Sequence, residues 1–530
     1  MAQRRALRAA LLATALSLVA GHAAAQNGFS FLDASRSTID YRVAPSAPRV
    51  ACAELRALSG SAMTVVVAQS VPASESAPAF CRVVGVIQPE IQFEVALPST
   101  WNRRLYMRGN GGFAGESLEA PPRVAQRNRA LQHGFVAAQT NTGHDAEAEP
   151  LATFAPHLQK RIDYSFRAVH VTARAAKRLA RAYYDRPVAF AYWDGCSTGG
   201  RQGLMSAQRY PADFDGIVAG APVLNFVDTA IWNIWNMRAL AAAPLSADKV
   251  KLVADAVYRR CGDADGLLDD PRRCDFDPAR DLPACTGGRE RADCFTPAQV
   301  AALKAIYGGV MSDGKRYFPG VPIGAEKAGK PFLGGAGPVS GWDQWLIAAQ
   351  GKTRQLQYGE TFMRYMAFAK PDPNWEWSTF DFEKDPARMD AIRAMLDARN
   401  PDLSEFNARG GRIVMYFGWA DTALTPYMGI DYYERVAATL GPRTRDFFRL
   451  FMVPGMFHCR GGFGPDRVDA LTPLINWVEG GRAPDSIVAS QEESGEIVRT
   501  RPLCPYPQVA RHSGSGSRKD AANFVCREPN

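Results

Sequence analysis

From Ile91 to Pro98 apolar and polar positions alternate, the period-two signature of a strand with one buried face. Arg104 to Arg108 predicts a second short strand, running directly into the glycine-rich stretch Gly109-Asn110-Gly111-Gly112. Gly134 to Gln139 is a compact apolar run that reads as another buried strand. Tyr164 to Tyr184 then carries alanines and arginines at helical spacing without proline or glycine. The same order repeats at once: an apolar, aromatic strand from Val188 to Trp193, a break at Asp194-Gly195, a helical segment from Thr198 to Arg209 and a strand from Asp215 to Gly220. Strands and helices alternating at these lengths predict a doubly wound α/β sheet.

The rhythm stops near Pro222 and resumes only after Asn400. In between lie tryptophans at 232, 235, 342, 345, 375 and 377, glycine-rich loops around 334–341 and four closely placed cysteines. We read an inserted domain over 223–400. Strand patterns return at Arg412 to Phe417 and Phe447 to Val453, followed by a helical segment near Val468 to Gly480. The sheet-forming parts are therefore expected at 26–222 and 401–530. The chain shows no internal repeat or heptad pattern. The stretch from Ser513 to Ser517 is expected to be a short flexible loop flanked by Cys504 and Cys526.

The N-terminus adds an address. Arg4, Arg5 and Arg8 precede an apolar run from Ala9 to Ala20 and the small residues Ala23-Ala24-Ala25, the form of an export signal over 1–25. The run falls short of the roughly 20 residues a membrane span needs, so the expectation is a periplasmic or extracellular protein with no membrane span. The formal charge of +8 includes those three arginines, leaving +5 on the mature chain with no basic cluster. Nucleic acid is not an expected partner. All ten cysteines lie beyond the signal, and an even count in an oxidising compartment points to disulfides. No pair has the C-x-x-C spacing of a structural zinc site. Oligomeric state cannot be read from these features.

Gly195-Cys196-Ser197-Thr198-Gly199 matches G-x-S-x-G, and it stands between a predicted strand and a predicted helix, where that motif makes a sharp turn presenting the serine as a nucleophile. A serine needs a base, and the base needs a carboxylate to fix its tautomer. Two histidines follow Ser197. His512 lies in the polar tail, whereas His458 follows the strand Phe447 to Val453 in the loop PGMFHC. Asp421 stands just past the strand Ile413 to Phe417, in GWADTALTP; its rivals Asp431 and Asp446 fall within a helix and ahead of a strand. Cys196 precedes the serine and Cys459 follows the histidine. A bridge between them would tie the nucleophile turn to the base loop; the alternative is that both pair elsewhere.

These residues, together with Gly200-Arg201-Gln202, with Asp215-Gly216-Ile217-Val218-Ala219-Gly220-Ala221-Pro222, with Gly418-Trp419-Ala420-Asp421 and with His458-Cys459, give the whole mature chain a resemblance to the tannase and feruloyl esterase family. The resemblance implies an α/β-hydrolase fold with a large inserted lid domain, a catalytic Ser197, Asp421 and His458, and a Cys196–Cys459 disulfide beside them. It implies an oxyanion hole of two backbone N–H groups, from Thr198 and from Gly111 or Gly112, each donor worth roughly 3 kcal/mol. Pairing by proximity within that family pattern gives Cys52–Cys81, Cys261–Cys274, Cys285–Cys294 and Cys504–Cys526. No cofactor is expected for catalysis.

Relatives in the family bind a structural calcium ion in the lid. The matching stretch here offers Asp263, Asp265, Leu267 and Asp269, but it is shorter by about four residues than the family pattern, although calcium needs six to eight oxygen ligands. A solvated acidic turn is the alternative. Trp342, Trp345, Phe362, Tyr365, Phe368 and Trp375 are candidates either for an aromatic pocket wall or for lid core, and Arg364 for a substrate carboxylate or a surface charge. The expected partner is a small aromatic ester: feruloyl, galloyl or other hydroxybenzoyl, or a terephthalate monoester. The rivals are a serine peptidase or lipase on the same scaffold, and a catalytically silent secreted polyphenol or carbohydrate binding protein.

Overall fold

The computed structural model describes residues 29–43, 45–287, 289–332, 334 and 337–529; the expected export signal lies outside the described residues. Nine strands form the central sheet: β1 (Thr64–Val71), β2 (Phe80–Ile87), β3 (Ile91–Pro98), β4 (Arg104–Arg108), β5 (Val136–Thr140), β6 (Phe190–Cys196), β7 (Gly216–Gly220), β8 (Arg412–Gly418) and β9 (Phe448–Val453). Their order is β1-β2-β3-β5-β4-β6-β7-β8-β9. The pairings from β1 to β5 are antiparallel and those from β5 to β9 parallel. The antiparallel edge departs from a purely parallel doubly wound sheet. β1 escaped the strand reading because most of its residues are not buried, so its face lacks a clean apolar alternation.

Every residue of β4, β5 and β7 is buried. A strand covered on both faces has no need of alternating polarity, which is why these segments read as short apolar runs. Leu105 and Met107 enter one core with Trp193 and Ile217, while Tyr106 enters the other with Tyr192, Val218 and Leu474. The covering helices include α1 (Pro121–Gln132), α2 (Ala168–Tyr184) and α3 (Thr198–Arg209). A π-helical turn at Asp163–Arg167 leads into α2, where a single continuous helix was expected.

The chain leaves the sheet after Gly220 and rejoins it at Arg412, although β7 and β8 are hydrogen-bonded neighbours. The excursion spans residues 221–411. Within it, α4 (Phe226–Ala242) packs against α6 (Pro297–Gly308) and α7 (Arg354–Tyr365), with α5 (Ala247–Cys261) between α4 and α6 in the chain. Trp232, Trp342 and Phe362 are fully buried and belong to the same core that lines one face of the sheet. Trp342 and Phe362 are thus core residues rather than pocket wall.

After the last sheet strand come two hairpins, β10 (Ile487–Glu493) with β11 (Glu496–Leu503), and β12 (Val509–His512) with β13 (Phe524–Arg527). The expected loop at 513–517 lies between β12 and β13. Five disulfides join Cys52–Cys81, Cys196–Cys459, Cys261–Cys274, Cys285–Cys294 and Cys504–Cys526. No helix among the described residues is long and apolar enough to cross a membrane.

Candidate active site

Ser197 sits between β6 and α3 at φ 63°, ψ −123°, a region that residues with a side chain rarely occupy and that marks stored backbone strain. The turn is held by the Ser197 N–H, which donates to the Gly220 carbonyl at 2.9 Å, and by the Ser197 carbonyl, which accepts from Arg201 and Val223. Glycine at 195 is obligatory, because a Cβ there would lie 2.6 Å from the backbone carbonyl of Gly199. The motif's flanking glycines exist so that strand and helix can touch backbone to backbone.

Asp421 and His458 come from the loops after β8 and β9, which are parallel neighbours and so end side by side. Their loops are stitched by Ala420 N–H to Met456 O at 3.0 Å and Trp419 N–H to Val453 O at 2.9 Å. The Asp421 carboxylate is fully buried. One oxygen accepts the N–H groups of Ala423 and Leu424, each at 2.9 Å, and the other lies 2.7 Å from His458 Nδ1. A carboxylate only accepts, so Nδ1 donates and Nε2 is left with its lone pair free to act as a base. The Cys196–Cys459 bridge, with Cα atoms 6.0 Å apart, reaches across two intervening strands to bind the nucleophile turn to this loop.

The other acids and the other base stand elsewhere. Asp431 pairs with Arg435 on the surface, Asp446 with Arg443, and His512 is a half-buried residue of the last hairpin.

The glycine-rich loop after β4 lies against the same turn, with Gly109 N–H donating to Asp194 O at 2.9 Å. The two glycines at its centre differ. Gly111 N–H donates to Glu116 Oε1 at 2.8 Å, while no acceptor among the described residues takes the Gly112 N–H. The Gly112 carbonyl is fixed by Tyr164 Oη at 2.9 Å and Thr198 Oγ1 at 2.5 Å. Thr198 opens α3, where a backbone N–H has no partner within the helix. Tyr164 was read only as part of a helix; its position in the π-helical turn, a form common at functional sites, is what carries it to Gly112.

Two aromatic rings frame His458 edge-on, Trp345 at 5.8 Å and Phe332 at 6.2 Å between centroids. Tyr358 stacks beyond Trp345 at 6.2 Å. Arg354 spans Phe332 and Trp345 at 5.8 and 5.7 Å. Burial pulls its pKa below the ordinary value, and no carboxylate among the described residues pairs with it. Of the aromatics anticipated from the sequence only Trp345 borders the histidine. Phe332 and Tyr358 were not anticipated, since isolated aromatics carry no signal of which cavity they face. Arg364 is bound to Glu360 at 2.7 Å. A cavity of about 710 Å³ lies apart, lined by Asn225, Asp228, Arg316, Tyr317, Arg393 and Tyr427.

The aspartates expected to hold calcium have partners within the chain. Asp265 and Asp269 both give their carboxylate oxygens to Arg501, and the Leu267 carbonyl accepts from Asp263 N–H at 2.8 Å. Among the described residues no three His, Cys, Asp or Glu side chains are grouped to hold a metal.

A mixed sheet with its reactive loops at the carboxyl ends of the strands, a strained serine turn and a large excursion before β8 define an α/β-hydrolase. The family model "Tannase and feruloyl esterase" matches residues 75–527, and the chain belongs to that family. It is 34% identical to mono(2-hydroxyethyl) terephthalate hydrolase of Piscinibacter sakaiensis, over 92% of this chain and 93% of that one. It is 29% identical to feruloyl esterase B of Aspergillus niger, over 82% and 83%. The crystal structure of feruloyl esterase B from Aspergillus oryzae superimposes with a TM-score of 0.76 at 26% identity, covering 90% of this chain and 99% of that one. The protein is a carboxylic ester hydrolase.

Proposed function

We propose that the protein is exported to the periplasm or beyond and hydrolyses small aromatic esters through an acyl-enzyme on Ser197. The observation that carries this reading is the buried Asp421–His458 pair at 2.7 Å, bridged through Cys459 to the residue before a strained serine. His458 Nε2 takes the Ser197 proton as Oγ bonds to the ester carbonyl carbon. The tetrahedral oxyanion is held by the N–H groups of Thr198 and Gly112, Gly111 being engaged by Glu116. His458 returns the proton to the departing alkoxide, then activates the water that cleaves the acyl-enzyme. The insertion acts as a lid.

Trp345, Phe332 and Tyr358 suit an aromatic acyl ring, and the unpaired Arg354 at their edge suits a phenolic or carboxylate substituent on it. The names of the terephthalate monoester hydrolase and feruloyl esterase relatives point the same way. The test is hydrolysis of methyl ferulate, methyl gallate, mono(2-hydroxyethyl) terephthalate and a short aliphatic nitrophenyl ester, with Ser197→Ala alongside. Preference for one aromatic acyl group, lost in the variant, is expected. Activity that survives in Ser197→Ala refutes the nucleophile. Absence of turnover on all four esters favours a silent binding protein.

A further inference from the structure

The loop between Cys261 and Cys274, closed by their disulfide, carries Asp263, Asp265, Asp269 and Asp270. Against this loop stand four cations from other segments or from its own end. Arg501, on β11, is almost wholly buried and binds Asp265 at 2.5 Å and both oxygens of Asp269 at 2.6 Å. Its guanidinium lies 4.0 Å over the Phe524 ring of β13. Arg499, on the same strand, donates to the Asp265 carbonyl at 3.1 Å. Lys327 donates to the Gly266 carbonyl at 2.6 Å, and Arg272 binds Asp270 at 2.7 Å.

We propose that Arg501 fills the place of the structural cation, so that the insertion is clamped to the C-terminal hairpins by a guanidinium and its anchorage is independent of calcium. Calcium sits 2.3–2.6 Å from its oxygens, and the Arg501 nitrogens already lie 2.5–2.6 Å from the same carboxylates. A divalent ion bound there would stand within about 5 Å of the guanidinium, a repulsion that a poorly solvated site screens weakly. The two cations are therefore mutually exclusive. The planar guanidinium accounts for the choice of arginine: one terminal nitrogen, Nη2, sits against both oxygens of Asp269 while the other, Nη1, reaches Asp265, a two-nitrogen span that the single nitrogen of an ammonium lacks. Asp265 and Asp269 lie in the insertion while Arg501 follows the last sheet strand, so the clamp joins segments more than 230 residues apart in sequence.

The test is thermal unfolding of the purified mature protein, which does not depend on the catalytic reading. The expected result is the same Tm, within about 1 °C, in EDTA and in millimolar CaCl2, with no binding heat on titrating CaCl2. Arg501→Met should lower Tm by roughly 3–5 °C by leaving Asp269 without its cation and Asp265 with Arg499 alone, at 3.9 Å. Arg501→Lys, which keeps the charge without the fork and serves if the methionine variant fails to fold, should fall between. A Tm that rises by several degrees with CaCl2 in the unaltered protein, or an Arg501→Lys protein as stable as the parent, overturns the proposal.

Discussion

Two acidic loops of this molecule bury carboxylates in opposite ways. In the loop after β8, Asp421 spends one oxygen on two backbone N–H groups and keeps the other for His458 alone. In the loop 261–274, Asp265 and Asp269 are jointly occupied by one guanidinium from a distant strand. Directional backbone donors fix a carboxylate without supplying a full positive charge, so it can still orient and stabilise an imidazolium. A guanidinium brings a full positive charge that its two partners share, and leaves them a structural role. The difference is one of partner rather than residue type.

Removing members of each loop sharpens the contrast. Ser197→Ala, which takes away what the first loop serves, should lower kcat by roughly 10⁴–10⁶-fold with little change in Tm. Asp421→Asn should keep the fold and lower kcat by about 10⁴-fold through the wrong imidazole tautomer; a pH–rate profile together with a melting curve separates this from unfolding. Replacing Cys196 and Cys459 together by serine should reduce the unfolding free energy by up to roughly 5 kcal/mol on the chain-entropy account, read by denaturant titration, with kcat falling as the histidine loop loosens. Tyr164→Phe should cost the least, about fivefold in kcat at nearly constant KM, because one hydrogen bond to the Gly112 carbonyl is worth about 1 kcal/mol.

Most of the parallel half of the sheet was legible in the chain, since strands buried on both faces, helices with apolar stripes and a G-x-S-x-G between them are local signals. The site residues were legible in part for the same reason: Ser197, Asp421 and His458 each follow a strand whose pattern is unmistakable. Of the antiparallel edge β3 was read but β1 and β2 were missed, as were the C-terminal hairpins, whose strands carry mixed residues that resemble loops. The choice between Gly111 and Gly112 could not be made from sequence, as it turns on Glu116 reaching back to one N–H and Tyr164 arriving from the π-helical turn.

The aspartate loop shows the limit most plainly. Its spacing, short as it was, left calcium open, and nothing near residue 265 announces an arginine at 501. The sequence by itself determined the alternation of strands and helices through the parallel part of the sheet, the break in that rhythm near Pro222 and the catalytic candidates, because these rest on periodicity and on turns a few residues long. Only the tertiary structure decided which N–H remained free, which aromatics face the histidine and which cation met the acidic loop. Those outcomes depend on contacts between segments tens to hundreds of residues apart, and neither periodicity nor spacing encodes them.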